Sequence, residues 1–148
     1  LERTANIDME VLVVTNEQTL KDAYTVRHEV FVNEQQVPAD IEIDEFENTS
    51  THVVLYDKNH PVGAGRFRVI DGVGKAERIC VLPSHRKLGA GRIIMKKIEE
   101  VAKENKLHKL KLNAQTHAEP FYLQLGYQTV SDVFMDAGIP HVTMTKEI

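Results

Sequence analysis

The stretch Val81-Leu82-Pro83-Ser84-His85-Arg86-Lys87-Leu88-Gly89-Ala90-Gly91-Arg92 decides how this chain is read. It leaves an apolar run, crosses a loop containing Gly89 and Gly91, and enters a segment where Ile93, Ile94, Ile98, Val101 and Ala102 recur at helical spacing. The pattern predicts strand, glycine loop, amphipathic helix. A helix N-terminus presents unpaired backbone N–H groups and about half a positive charge, and both suit a pyrophosphate. Gly89 and Gly91 carry no side chain, so phosphate oxygens can approach the main chain closely. Arg86, Lys87 and Arg92 add three cations beside it, with Leu88 and Ala90 between them. No Gly-Lys-Ser/Thr ends the loop, and the spacing is not Gly-x-Gly-x-x-Gly, so neither a Walker loop nor a dinucleotide fingerprint is present. Taken alone, the two glycines could equally serve a tight turn.

Outward from this loop, the chain alternates strand and helix signals. Glu10–Thr15 is a β-branched run, Asn16 offers an N-cap, and apolar residues at helical spacing extend from Glu17 to about Val32. Residues Asn33–Ser50 follow as an acidic loop or irregular helical segment, with Asp40, Glu42, Asp44, Glu45 and Glu47 crowded after Pro38. Strands are predicted at His52–Tyr56, Val62–Ile70 and Lys75–Leu82, the last two joined by the hairpin signal Asp71-Gly72-Val73-Gly74. After the helix come a strand at Leu107–Ala114, a short helix at Ala118–Leu125 closed by Gly126, and strands at Thr129–Phe134 and His141–Thr145. The order βα-βββ-αβ-αββ indicates an α/β fold with one mixed sheet.

A second motif follows the next strand: Gln115-Thr116-His117-Ala118-Glu119-Pro120-Phe121-Tyr122-Leu123-Gln124-Leu125-Gly126-Tyr127. Arg86-x-x-Gly89-x-Gly91 opening a helix, with Phe-Tyr-x-x-Leu-Gly-Tyr after the following strand, resembles the acyl-coenzyme A site of the GNAT superfamily. The resemblance covers roughly residues 9–148, and it is fuller to a small bacterial branch at Arg27–Gln35 and Asp136–His141. It implies the GNAT fold, an α+β arrangement with one mixed, mostly antiparallel sheet of six to seven strands flanked by about four helices. It implies an N-acetyltransferase that moves an acetyl group from acetyl-coenzyme A to a primary amine, on a small molecule or a protein, with coenzyme A as co-substrate and no metal. The alternative is a non-catalytic acyl-coenzyme A sensor.

The resemblance also implies roles. Tyr122 protonates the departing thiolate, and backbone groups at Ile79, Cys80 and Val81 hold the pantetheine arm and face the thioester oxygen. Many family members carry Asn three residues before the Ala of the second motif; Gln115 stands there, with Asn113 two residues earlier, and either amide could bond the cofactor. For the general base, period 2 puts Glu77 on one face with Ile79 and Val81, where burial would raise its pKa. Glu34, Asp44, His117 and a water chain are alternatives. The acidic segment Asp40–Glu47 lies near the family's acceptor site, where it would attract a cationic amine or simply be solvated.

Composition sets the remaining bounds. At 148 residues the chain suits one domain, and its net charge of −4 gives no bulk attraction to nucleic acid or anionic membrane. Cys80 is the single cysteine, which excludes an intramolecular disulfide and fits a cytoplasmic location. No apolar run reaches the ~20 residues of a membrane span, and the histidines show no metal-ligand spacing. Residues 1–8 read as a leader or variable extension before Met9. Edge strands of a small sheet leave a homodimer open.

Overall fold

The structure, a computed structural model, describes residues 9–148; the reading of residues 1–8 as a leader lies outside them. The chain opens with β1 (Met9–Val13) and α1 (Glu17–Arg27), the helix capped by Asn16, whose Oδ1 accepts the Thr19 amide at 2.8 Å. The helical path continues as predicted, but its hydrogen bonding changes. Over His28–Glu34 it widens to a π-helix, closed by the Gln35 amide bonding the Val30 carbonyl at 3.0 Å. Such widened turns concentrate at functional sites. The acidic segment holds α2 (Ala39–Glu42) and a 3-10 turn at Glu47–Thr49.

Three strands follow: β2 (Thr51–Asp57), β3 (His60–Ile70) and β4 (Val73–Val81). Two-residue loops join them, Lys58-Asn59 and Asp71-Gly72, with positive φ at both central residues. That is the turn whose twist matches antiparallel strands. After the glycine loop come α3 (Ala90–Glu104), β5 (Lys109–Gln115) and α4 (Glu119–Gln124). The chain ends in β6 (Gln128–Thr129), β7 (Phe134–Asp136) and β8 (Ile139–Glu147).

The sheet runs β1-β2-β3-β4-β5-β8-β6, with β7 also on β8, and all neighbours are antiparallel except β4 and β5. It has eight strands rather than six to seven, because the run read as one strand at Thr129–Phe134 divides into β6 and β7. Ser131 is the reason: its Oγ, not a strand carbonyl, takes the Thr143 amide at 2.8 Å, and Val130 and Val133 turn outward to 57% and 61% exposure.

Two apolar layers sandwich the sheet. On one face α3 buries Ile94, Met95 and Ile98 against Leu55, Phe67, Leu112 and Met144. Each such side chain contributes about 1.5–3 kcal/mol of transfer free energy. The approach is close: a Cβ on Gly63 would stand 2.8 Å from Ile94 Cδ1. On the other face α1 packs Ala23 and Val26 over Val54, Ala64 and Cys80. Among the described residues, no helix is long and apolar enough to cross a membrane.

Candidate active site

Parallel pairing between β4 and β5 covers three positions, Gly74–Ala76 against Leu110–Leu112. Beyond them β5 continues along β8 as far as Gln115 opposite His141, while β4 continues along β3. The two strands part, and a cavity of about 780 Å³ opens between them. Ile79, Cys80 and Val81 line one wall, Asn113, Ala114 and Gln115 the other, and Tyr122 also borders it. The π-helix contributes Phe31 and Glu34, whose backbone the widened turn carries to this opening.

A bulge explains the parting. Arg78 sits at φ 60, and the β3–β4 register jumps from Arg66↔Glu77 to Ala64↔Cys80. An extra residue re-aims the side chains that follow it. Ile79 and Val81 therefore pack on the α3 layer, whereas Glu77 lies with Arg66 on the opposite face. This corrects the period-2 reading that grouped Glu77 with Ile79 and Val81. Glu77 meets Arg66, Arg68 and Lys75 at 3.0, 3.0 and 3.2 Å. Burial works to raise its pKa, but these cations prevail and hold the carboxyl below the usual range. A carboxylate so neutralised is a weak proton acceptor, so Glu77 is not carried into the mechanism.

The other acidic groups are engaged as well. Arg27, 1% exposed, holds Glu42 at 2.8 Å and Glu47 at 2.6 Å; Arg66, fully buried, holds Asp44 at 2.8 Å and Glu47 at 2.9 Å. Arg78 adds contacts to Glu42 and Asp44. Burial opposes ionisation of Asp44 and Glu47, yet the guanidinium contacts win and lower both pKa values to about 2. Glu42, Asp44 and Glu47 are thus internal counter-ions rather than an anionic lure for an amine. Asp44 is equally poor as a base. Glu34 gives both carboxylate oxygens to Arg86, at 2.7 and 2.5 Å, and that hydrogen bonding lowers its pKa.

The glycine loop leads from β4 into α3, the path expected of it. Gly89 takes φ 84 and sits at the N-cap of α3 without a side-chain cap, so the first amides of the helix, at Ala90, Gly91 and Arg92, have no intrahelical partner. A left-handed, exposed Gly89 fits a diphosphate passing over it. Gly91 has a different reason to be glycine: a Cβ there would meet Phe121 Cζ at 3.0 Å, so it seats the second motif against the helix. Lys87 and Arg92 are exposed and make no ion pair among the described residues. Arg86 instead ties the loop to Glu34 and to the Val81 carbonyl. Ala90 is buried in the α3 layer, and Leu88 packs against it.

Tyr122 is 7% exposed, edge-on to Phe121 and Tyr127. Burial, and then Cys80, raises the phenol pKa, so it keeps its proton. The amides flagged by sequence are partly occupied. Asn113 Oδ1 accepts the Thr143 hydroxyl at 2.8 Å, and Gln115 exchanges hydrogen bonds with Gln35 and meets His117 Nε2 at 2.7 Å. His117 is therefore engaged with Gln115. His141, 9% exposed and directly across the ladder from Gln115, also borders the cavity, a place the sequence reading did not give it. Its only sequence signal was the stretch Asp136–His141. Among the described residues, no group of three or more His, Cys, Asp or Glu could hold a metal ion.

Comparison with known proteins places this geometry. Residues 11–148 match the acetyltransferase (GNAT) domain family. YjcF of Bacillus subtilis, an uncharacterized N-acetyltransferase, is 56% identical over 140 residues, covering 94% of this chain and 100% of the relative. A Lactobacillus plantarum protein of known structure superposes with TM-score 0.88 at 27% identity, over 94% of this chain and 97% of that one. Escherichia coli ElaA shares the fold with TM-score 0.84 at 24% identity, over 94% and 99% of the two chains. Parted strands, an uncapped glycine-led helix and a matching family domain together assign this chain to the GNAT acetyltransferase family, whose members transfer acyl groups from acyl-coenzyme A.

Proposed function

We propose that the protein transfers an acetyl group from acetyl-coenzyme A to a primary amine by direct attack in a ternary complex. The observation that carries this reading is the opening between β4 and β5, which runs from a protonated Tyr122 along the edge of Ile79–Val81 that pairs with no strand on that side. From Val81 the chain leads through a 3-10 turn at Pro83–His85 and the glycine loop to the uncapped N-terminus of α3. In this reading the free amides at Gly89–Arg92 hold the diphosphate, with Lys87 and Arg92 neutralising it. The main chain of Ile79, Cys80 and Val81 pairs with the pantetheine arm, and a backbone N–H there stabilises the developing oxyanion. Asn113 and Gln115 flank the arm.

Proton chemistry fits the same geometry. The amine nitrogen forms the C–N bond, the C–S bond breaks with its electrons on sulfur, and the sulfur takes the Tyr122 proton. A raised phenol pKa does not spoil this match, because the medium acts on sulfur too. Cys80, on the same cavity, has its thiol pushed up to about 12 by burial. Burial likewise disfavours a thiolate released there.

The test is thiol release from acetyl-coenzyme A and from longer acyl-coenzyme A esters, across a panel of small amines and amine-bearing peptides. Turnover with acetyl-coenzyme A supports the reading. Thermal stabilisation by coenzyme A without turnover on any amine would favour the sensor.

A further inference from the structure

With Glu77, Asp44 and Glu34 ion-paired, the acetyl-transfer reading needs another group to take the proton from the attacking amine. The β7–β8 hairpin supplies one. His141 projects from β8 on the face opposite Val142 and Met144, both of which belong to the α3 layer. It borders the cavity that Tyr122 and Cys80 also border. Its ring is fixed twice: Nδ1 lies 2.7 Å from the Ile139 carbonyl, and Phe134 stacks on it at 6.1 Å with an interplanar angle of 23°. A carbonyl only accepts, so Nδ1 carries the hydrogen, and in the neutral ring Nε2 carries the lone pair. Nε2 has no hydrogen-bond partner among the described residues.

The same hairpin carries an uncommitted charge. Four carboxylates border the cavity, and Glu34, Glu42 and Glu77 each hold an arginine. Asp136, exposed at the end of β7, makes no ion pair among the described residues. A carboxylate without a counter-ion, two ladder steps from an imidazole with a free lone pair, is the chemistry that receives an alkylammonium ion.

Resting on the acetyl-transfer reading, we infer that the β7–β8 hairpin is the acceptor site for a cationic primary amine, with Asp136 attracting the ammonium and His141 Nε2 taking its proton. The first nitrogen proton passes to Nε2 and on to water. The freed lone pair forms the C–N bond, the C–S bond breaks onto sulfur, and sulfur takes the Tyr122 proton. The second nitrogen proton restores the phenol through water. The net yield is an amide, a free thiol and one proton released. Other charged groups around His141 on the cavity are Glu42 from α2, Lys75, Glu77 and Arg78 from β4, His117 after β5, and the Glu34–Arg86 pair.

The experiment compares parent, His141→Ala, His141→Gln and Asp136→Asn proteins by thiol release with a cationic amine, with coenzyme A affinity by calorimetry and melting temperature alongside. His141→Ala should lower kcat by about 100-fold or more, abolish the acid limb of the pH–rate profile, and regain activity with added imidazole, while coenzyme A affinity stays within about twofold. His141→Gln carries the same kcat and pH-profile test should the alanine protein fail to fold. Asp136→Asn should raise the amine KM severalfold with little change in kcat. A parent protein that turns over, with His141 variants matching its kcat and acid limb, would overturn the proton-acceptor role. An unchanged amine KM in Asp136→Asn would overturn the ammonium site. No turnover by the parent on any amine would remove the acetyl-transfer reading and this one with it.

Discussion

Lowering the pH should dismantle the buried ion network in a calculable way. Asp44 falls from an ordinary 3.8 to about 2, and Glu47 from 4.5 to about 2, because Arg66 and Arg27 stabilise their ionised forms. Their side chains are 19% and 7% exposed, so solvent screens these contacts little. Both pKa values are depressed in the folded state. The stabilisation is therefore complete above about pH 5 and is lost as pH falls toward about 2. Integrating the proton linkage over those values gives a loss of about 3 kcal/mol by pH 3 and about 5 kcal/mol by pH 2. The assay is urea unfolding followed by far-UV circular dichroism at pH 7, 4 and 3, at constant ionic strength. The comparison protein is Asp44→Asn/Glu47→Gln, which keeps acceptor oxygens but cannot titrate. Its loss between pH 7 and 3 should be smaller than the parent's by about 3 kcal/mol. The single Asp44→Asn protein, with an expected difference of about 1 kcal/mol, serves if the double variant does not fold. Equal losses in parent and variant would refute the reasoning.

Three further outcomes follow from the site. Tyr122→Phe should lower kcat by about 100-fold with coenzyme A affinity within about twofold by calorimetry; full activity would end the acid role. Glu77→Gln should lower the melting temperature, since it strips a counter-ion from Arg66 and Arg68, yet leave the pH–rate profile in place; loss of the acid limb in that variant would restore Glu77 as the base. Gly91→Val should weaken coenzyme A binding about tenfold or more by pressing on Phe121, 3.0 Å from even a Cβ, and displacing the start of α3; unchanged affinity would separate the Phe121 contact from the cradle.

Much of this was legible in the chain because local chemistry wrote it there. Asn16 capped the helix it was expected to cap, and Asp71-Gly72 made its hairpin. The features that escaped depend on partners far along the sequence. Arg78 adopts φ 60 with no glycine to announce it, and that one bulge moved Glu77 to the other face of the sheet. Glu42, Asp44 and Glu47 looked like a solvated acidic run because their arginines come from position 27, from β3 and from β4. The break between β6 and β7 turns on the Ser131 hydroxyl replacing a strand carbonyl, which no apolar periodicity reports. His141 reads in sequence as one histidine among seven; only the pairing of β8 with β5 brings it opposite Gln115.

At the centre of the account is a thioester aimed by the helix start at Gly89–Arg92 toward Tyr122. A crystal structure of the protein soaked with coenzyme A tests it most directly. Diphosphate oxygens should lie on the amides of Gly89, Ala90, Gly91 or Arg92, with the pantetheine arm between β4 and β5 and sulfur within hydrogen-bonding distance of the Tyr122 hydroxyl. Coenzyme A bound elsewhere, or a phenol turned away from the sulfur, would contradict it.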